Sequence, residues 1–263
     1  MTKSTEGLNQ RYLAAQGVAR EAGAIMKRRF DDRSSFTLGY KGHQDYITEV
    51  DGQIERLVID RLGGAFAGDG FIGEEGGGTE ADSLWVIDPI DGTANFARGI
   101  PHFCISIAHV SKGIPDIGVI YDPVCDEMFA AMRGRGAWLN GARMAVSGTS
   151  DMRSANIEIG WNMRSGMDSF LDVVQKIVAT GSGMIRSGSG ALGVAYVAAG
   201  RIDGYCETHI NAWDVLAGIV LVQEAGGLCS DFLAGGGLRR GNPILACTPA
   251  LAPVLAKVSG IAL

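Results

Sequence analysis

The sequence predicts a mixed α/β (α+β) fold built in layers, and three features of the chain carry that prediction. Apolar residues recur at three- and four-residue steps near the start. Short apolar runs punctuated by Gly, Pro and Asp follow, and strand and helix signals then alternate to the end. Leu8, Tyr12, Ala15, Ala19, Ala22, Met26 and Phe30 form one stripe of a long first helix. Thr48 can cap a second helix that buries Ile54, Leu57, Val58 and Leu62, and Gly63 with Gly64 is expected to end it. Strands are expected at 84–87, 103–110, 117–121, 127–131 and 137–139, the last three as an antiparallel meander. The polar stretch 147–154 marks a boundary between lobes. Beyond it, strands at 157–159, 184–186 and 202–207, and near Leu228 and Ile244, alternate with helices near 167–180, 190–199 and 213–225. The expectation is one domain, 1–263, with an N-terminal lobe of about 1–148 carrying an antiparallel sheet and a C-terminal lobe of about 149–263 with alternating helices and strands.

Composition narrows the function. Of 263 residues, 46% are hydrophobic and 20% charged, which is ordinary for a globular chain with a sizeable core. The 39 glycines are about twice the usual ~7% and follow no three-residue period, so they indicate tight turns and close backbone approaches rather than collagen. A net charge of −6 argues against a general nucleic-acid binder, which needs a basic surface. The cysteines (Cys104, Cys125, Cys206, Cys229, Cys247) are odd in number, dispersed and free of CxxC spacing, which points to reduced thiols and a cytoplasmic setting. The N-terminal segment has no apolar core of a secretory signal, and no apolar run reaches the ~18 residues of a membrane span.

Two motifs compete for the chemistry. Gly188-Ser-Gly190-Ala-Leu-Gly193 is a GxGxxG that opens a helix, with Glu207 at the end of the next strand, where a ribose-binding acid of a dinucleotide fold would sit. The unit is shorter than the ~30 residues of a βαβ crossover, and Arg186 puts a charge in what should be an apolar strand. A glycine-rich helix start is the plainer reading. The second motif is Trp85-Val-Ile-Asp88-Pro-Ile-Asp91-Gly-Thr93. It differs from the DxDGT of aspartyl-phosphate phosphatases, in which one residue separates the two Asp and places both on one face of a strand. Here Pro89 is expected to turn the chain, so that the carboxylates converge from a bend. That disfavours a nucleophilic Asp and favours a metal-ligand pair. Taken alone, Asp88 and Asp91 equally suit a helix cap after a strand, and Asp214 suits the first turn of a helix.

Joined to Phe71-Ile-Gly-Glu74-Glu75, to Lys41…Asp45…Thr48-Glu49-Val-Asp51, and to Ala212-Trp213-Asp214 with Glu224-Ala-Gly-Gly227, this segment resembles the inositol monophosphatase family. That family comprises magnesium-dependent, lithium-sensitive phosphatases related to fructose-1,6-bisphosphatase. The resemblance runs from the first helix to near the C-terminus, with the motifs in order and correctly spaced. It implies a layered αβαβα sandwich of the sugar-phosphatase type and, commonly, a homodimer. It further implies hydrolysis of a small polyol phosphate, first of all myo-inositol monophosphate, by metal-activated water without a covalent intermediate. Histidinol phosphate, fructose bisphosphate or a 3′-phosphonucleotide are alternative substrates. A non-catalytic metal- or phosphate-binding regulatory protein and an NAD-binding protein are the alternatives of another class.

The chemistry suits the residues. A phosphate monoester hydrolyses very slowly unaided, and hard divalent cations held ~3.5–4 Å apart can neutralise its oxygens and activate water. Such cations take oxygen ligands. By resemblance, two or three Mg²⁺ ions are expected, with Mn²⁺ or Ca²⁺ able to substitute in binding. Glu74, Asp88 and the carbonyl of Ile90 would hold the first, Asp88, Asp91 and Asp214 the second, and Glu74 near Asp51 a third. Thr93 would orient the attacking water, with Glu74 and Asp51 taking its proton. Gly92 and Thr93 would offer backbone N–H groups to the phosphate, and Asp91 and Asp214 would also meet the substrate. Ser189, Gly190, Ala191 and Glu207 would line the alcohol pocket, and Lys41 and Asp45 would support the loop beside the third ion. His43, His102, His109 and His209 show no ligand spacing and are read as structural, and Trp85, Trp138 and Trp213 as core. Three departures from the family pattern stand out. Ala94 replaces a frequent second Thr, Gly193 stands where bacterial relatives often have Asp, and Thr208, His209 and Asn211 give the loop after Glu207 an unusual texture. The last two lie beside the alcohol pocket and bear on substrate identity rather than on reaction type.

Overall fold

A computed structural model of the chain describes residues 3–32, 34, 38–42, 45–79, 81–161 and 166–263, with the backbone alone at 3–5, 38, 40–42, 45–48 and 77–78. The predicted first stripe forms α1 (Lys3–Asp31), which buries Ala15, Ala19, Ala22 and Met26. Beside it lies α2 (Glu49–Ala65), burying Val50, Ile54, Val58 and Leu62. Gly63 and Gly64 do not end this helix, contrary to the expectation. Leu62 is anchored in the core and its carbonyl accepts the N–H of Phe66, so packing carries the helix through both glycines.

Both helices cover one face of an eight-stranded sheet. Its strands are β3 (Gly70–Gly73), β4 (Gly77–Thr79), β5 (Ser83–Asp91), β6 (Cys104–Ser111), β7 (Ile114–Asp122), β8 (Glu127–Met132), β9 (Ala137–Leu139) and β10 (Ala142–Arg143). They are ordered β10-β9-β8-β7-β6-β5-β3-β4 in space, antiparallel except for the β3–β5 pair. A separate hairpin pairs β1 (Leu38–Gly42) with β2 (Asp45–Thr48). The opposite face of the large sheet packs on α5 (Gly190–Ala198) and α6 (Ala212–Glu224). These two helices in turn lie on a five-stranded sheet of order β12-β11-β13-β15-β14. It comprises β11 (Asn156–Ile159), β12 (Gly183–Ile185), β13 (Gly204–Ile210), β14 (Leu228–Cys229) and β15 (Asn242–Cys247). Its outer face is closed by α4 (Met167–Val178) and α8 (Ala252–Ser259). The result is the expected αβαβα stack, with side-chain alternation along each strand deciding which of three cores a residue enters. In β6, for example, Ile105 and Ile107 join the α1/α2 core while Ala108 and Val110 join the α5/α6 core. Trp85 is fully buried, whereas Trp138 and Trp213 are half-buried. His109 is buried between Ser83 (2.9 Å) and Asp116 (2.6 Å), in keeping with a structural role.

One local departure matters for the site. Pro89 does not turn the chain; β5 runs on through Asp91 with a register shift between Asp88 and Asp91. Proline has no N–H to give the ladder, and the N–H of Ile90, next in line, is taken by Asp88 Oδ1 at 3.0 Å instead. The bulge sends Ile87 and Ile90 together into the α1/α2 core.

Candidate metal centre

The bulge sets two acids of one strand toward the α5/α6 layer, and each is met there by a helix start. Asp91 accepts the backbone N–H of Ala191 (2.9 Å) and of Gly190 (3.2 Å), and the hydroxyl of Ser189, the N-cap residue of α5. Asp214 lies in the first turn of α6 and accepts the N–H of Asn211 at 3.0 Å, which turns its carboxylate back toward the helix start. One ligand oxygen from each of Asp88, Asp91 and Asp214 falls within 4.8 Å of the others.

Such crowding is costly. Burial, then the charges of Glu74, Asp91 and Asp214, push the Asp88 carboxyl well above its ordinary range. Asp214 is likewise raised well above it, by burial and then by Asp91 and Glu74. Asp91 is raised by burial too, but the donors from Ser189, Ala191 and Gly190 and the nearby His102 pull it back. Among the described residues no Lys or Arg pairs with any of the three. A crowded, oxygen-only set of like charges without a Lys or Arg partner among the described residues has the donor chemistry of a hard divalent ion such as Mg²⁺.

The other predicted residues fall around this cluster. Glu74 sits on the turn after β3, where its N–H reaches the Ile87 carbonyl at 3.3 Å and its charge acts on Asp88 and Asp214. Gly92 adopts φ 90° between β5 and α3 (Thr93–Arg98), and a Cβ there would lie 3.0 Å from the His102 carbonyl. Thr93 Oγ1 donates to the Ile90 carbonyl at 2.8 Å and lies 3.4 Å from Asp51 Oδ1. Asp51 is 1% exposed. Ser189, Gly190 and Ala191, expected to wall the alcohol pocket, reach Asp91 itself. Glu207 ends the regular β13–β15 pairing and accepts the Tyr205 hydroxyl at 2.6 Å. Lys41 and Asp45 fall on β1 and β2, but their side chains lie outside the described residues. Glu224 is not at the centre; it accepts the N–H groups of Gly134 and Gly136, each at 2.7 Å, and so ties α6 to the β8–β9 turn.

Sequence reasoning missed the supports. Glu55 is 4% exposed and accepts the N–H of Glu75 at 2.9 Å. Its carboxylate occupies space that a Cβ on Gly73 or Gly76 would overlap, so it clamps the turn that carries Glu74. The signal was a charge four residues after Asp51, inside the buried stripe of Ile54 and Val58. Asn95 donates to the carbonyls of His102 (2.8 Å) and Ser187 (3.0 Å), joining α3 to the loop before α5. Glu158, from β11, holds that loop from the other side by accepting the N–H of Ser187 at 3.0 Å.

The sandwich and its acid cluster define a sugar-phosphatase type of protein, and comparison with known proteins agrees. Residues 8–260 match the inositol monophosphatase family, and the chain belongs to it. It is 43% identical over 223 residues to the Nus factor SuhB of Pseudomonas aeruginosa, covering 81% of this chain and 82% of that protein. The crystal structure of the extragenic suppressor protein suhB from Bartonella henselae superposes with a TM-score of 0.88 at 34% identity, covering 94% of this chain and 96% of that one. The Thermotoga maritima IMPase gives a TM-score of 0.86 at 30% identity, with 95% and 97% covered. No helix among the described residues is long and apolar enough to cross a membrane.

Proposed function

We propose that the chain hydrolyses the phosphate monoester of a small polyol, first of all myo-inositol monophosphate, in a site closed between lobes of about 1–148 and 149–263. The observation that carries this reading is the meeting of Asp88 and Asp91 with Asp214 at a point where three acids crowd together with no Lys or Arg partner among the described residues. Asp88, Asp91, Asp214, Glu74 and the Ile90 carbonyl would hold Mg²⁺, with Mn²⁺ or Ca²⁺ as substitutes in binding. When bound, such ions neutralise phosphoryl oxygens and make water acidic enough to attack at neutral pH. Thr93 is placed to orient that water, because its own proton is engaged by the Ile90 carbonyl while its lone pairs remain acceptors. Glu74 and Asp51, the latter 3.4 Å from Thr93 Oγ1, would take the proton of that water. Attack is in line at phosphorus and no phosphoenzyme forms; the departing alkoxide, on the far side of phosphorus, takes a proton from solvent water, and the proton captured on the attack side is released to solvent. Gly92 and Thr93 offer backbone N–H groups to the phosphate, and Ser189, Gly190, Ala191 and Glu207 face the alcohol. Lys41 and Asp45 support the rim. Membership of the family supports a homodimer.

The test is phosphate release from inositol 1-phosphate, histidinol phosphate, fructose 1,6-bisphosphate and a 3′-phosphonucleotide, with Mg²⁺ and with EDTA. Mg²⁺-dependent release from inositol 1-phosphate is expected. Release from another ester alone overturns the substrate, and release from none overturns the activity. The Glu55 clamp adds a second expectation. Glu55→Gln should raise the Mg²⁺ concentration for half-maximal activity about tenfold, the usual scale for a support behind a ligand. An unchanged Mg²⁺ requirement would remove Glu55 from that role.

A further inference from the structure

The glycines of the Gly188–Gly193 motif play no part in the chemistry above beyond the Gly190 N–H. Within a helix glycine is destabilising relative to alanine, so the presence of Gly190 and Gly193 in α5 calls for a reason. Gly190 and Gly193 stand against one side chain. A Cβ on Gly193 would lie 2.7 Å from Tyr205 Cδ2, and one on Gly190 would lie 3.1 Å from the Tyr205 hydroxyl. A Cβ on Gly160, just past β11, would overlap both that hydroxyl and the Glu207 carboxylate. Three residues without side chains thus frame a slot through which Tyr205, 1% exposed, reaches Glu207 Oε2 at 2.6 Å. Gly190 also gives its N–H to Asp91 Oδ1 at 3.2 Å, so a single residue separates the phenol from the acid cluster. Burial, then the charges of Glu207, Glu158 and Asp91, push the Tyr205 phenol well above its ordinary value, so it stays a donor.

We infer that Tyr205 is a positioning residue that fixes the Glu207 carboxylate for a hydroxyl of the alcohol, so that preference for polyol esters over hydroxyl-free esters depends on one phenolic O–H. The inference rests on the phosphatase reading and extends it to substrate choice. A hydrogen bond to a charged acceptor is among the stronger kinds, and a carboxylate that loses it is free to turn away from its productive angle. Sequence alone offers GxGxxG as a nucleotide cradle. In the folded chain the spacing of Gly190 and Gly193 follows the outline of a tyrosine on the next strand.

The experiment is steady-state kinetics with Mg²⁺ on inositol 1-phosphate and on 4-nitrophenyl phosphate, an ester whose leaving group carries no neighbouring hydroxyl. Wild type, Tyr205→Phe, Glu207→Gln and the double variant are compared. The ratio of kcat/KM for the two esters should fall about tenfold in Tyr205→Phe, and the same change should shift it less than about twofold once Glu207 is replaced by Gln. Any loss of folded protein cancels in the ratio. A ratio within about twofold of wild type in Tyr205→Phe overturns the inference, as does an equal effect in both backgrounds. If the wild type does not hydrolyse inositol 1-phosphate, the substrate reading falls and takes the inference with it; a wild type that prefers inositol 1-phosphate, with the ratio unmoved by Tyr205→Phe, overturns the inference alone.

Discussion

Asp91→Asn is expected to lower turnover about a thousandfold while the protein still folds. The loss follows from removing one carboxylate charge from a cation cluster, where transition-state stabilisation is worth several kcal/mol at about 1.4 kcal/mol per tenfold. The fold survives because two effects oppose each other. An asparagine in this place cannot accept from Ser189, Gly190 and Ala191 as fully as the carboxylate does. Against that, a neutral side chain escapes the burial that already raises the Asp91 carboxyl. Turnover with saturating Mg²⁺, read beside a melting curve, checks both halves. Activity near wild type would remove Asp91 from the proposed site.

The second large effect concerns ions and pH together. In EDTA, Asp88 and Asp214 have folded-state values raised well above the ordinary carboxylate range. A group raised on folding holds more protons in the native than in the unfolded chain. Its contribution is therefore full below the unfolded value of about 3.9 and is lost as pH climbs through the raised folded value. The ion-free protein should melt progressively lower as pH increases from about 4 upward. Mg²⁺ binds the deprotonated native cluster, so it should remove much of that slope and raise stability by about 2.7 kcal/mol at a hundred times its dissociation constant. For a chain of this size that is a rise in Tm of about 5 °C or more. Coincident melting curves in EDTA and Mg²⁺ across this pH range would count against a cation site.

Much of this was legible in the sequence, and the parts that were not have identifiable causes. The stripe from Leu8 to Phe30 and the alternating runs of β6 to β8 declare themselves through periodicity, because each buries one face or splits its faces between two cores. The strands β1, β2, β3, β4 and β10 are two to five residues long and rich in Gly or polar residues, so they leave no periodic trace. The acids Asp88, Asp91 and Asp214 were readable because motif spacing preserves them. The bulge at Pro89 was not, since a proline before Ile-Asp reads equally as a turn. Supports such as Glu55, Glu158 and Tyr205 escape a one-dimensional reading because the residues they hold, or the residues that make room for them, lie in other elements. Glu55 meets Glu75, Glu158 meets Ser187, and the slot of Tyr205 is cut by Gly160, Gly190 and Gly193.

The extra residue in β5 also limits how the protein can change. With Asp88 and Asp91 three positions apart on one strand, both acids and the two core isoleucines depend on a single irregularity. Deleting Pro89 would leave Ile87-Asp88-Ile90-Asp91, whose regular alternation still sends both isoleucines to the core and both acids to the site, but with the carboxylates one residue closer along the strand. Such a lesion would leave the core pattern in place and strike the spacing of the acids alone. What the irregularity guards is therefore the gap between two charges, and change in β5 is limited to what leaves that gap intact.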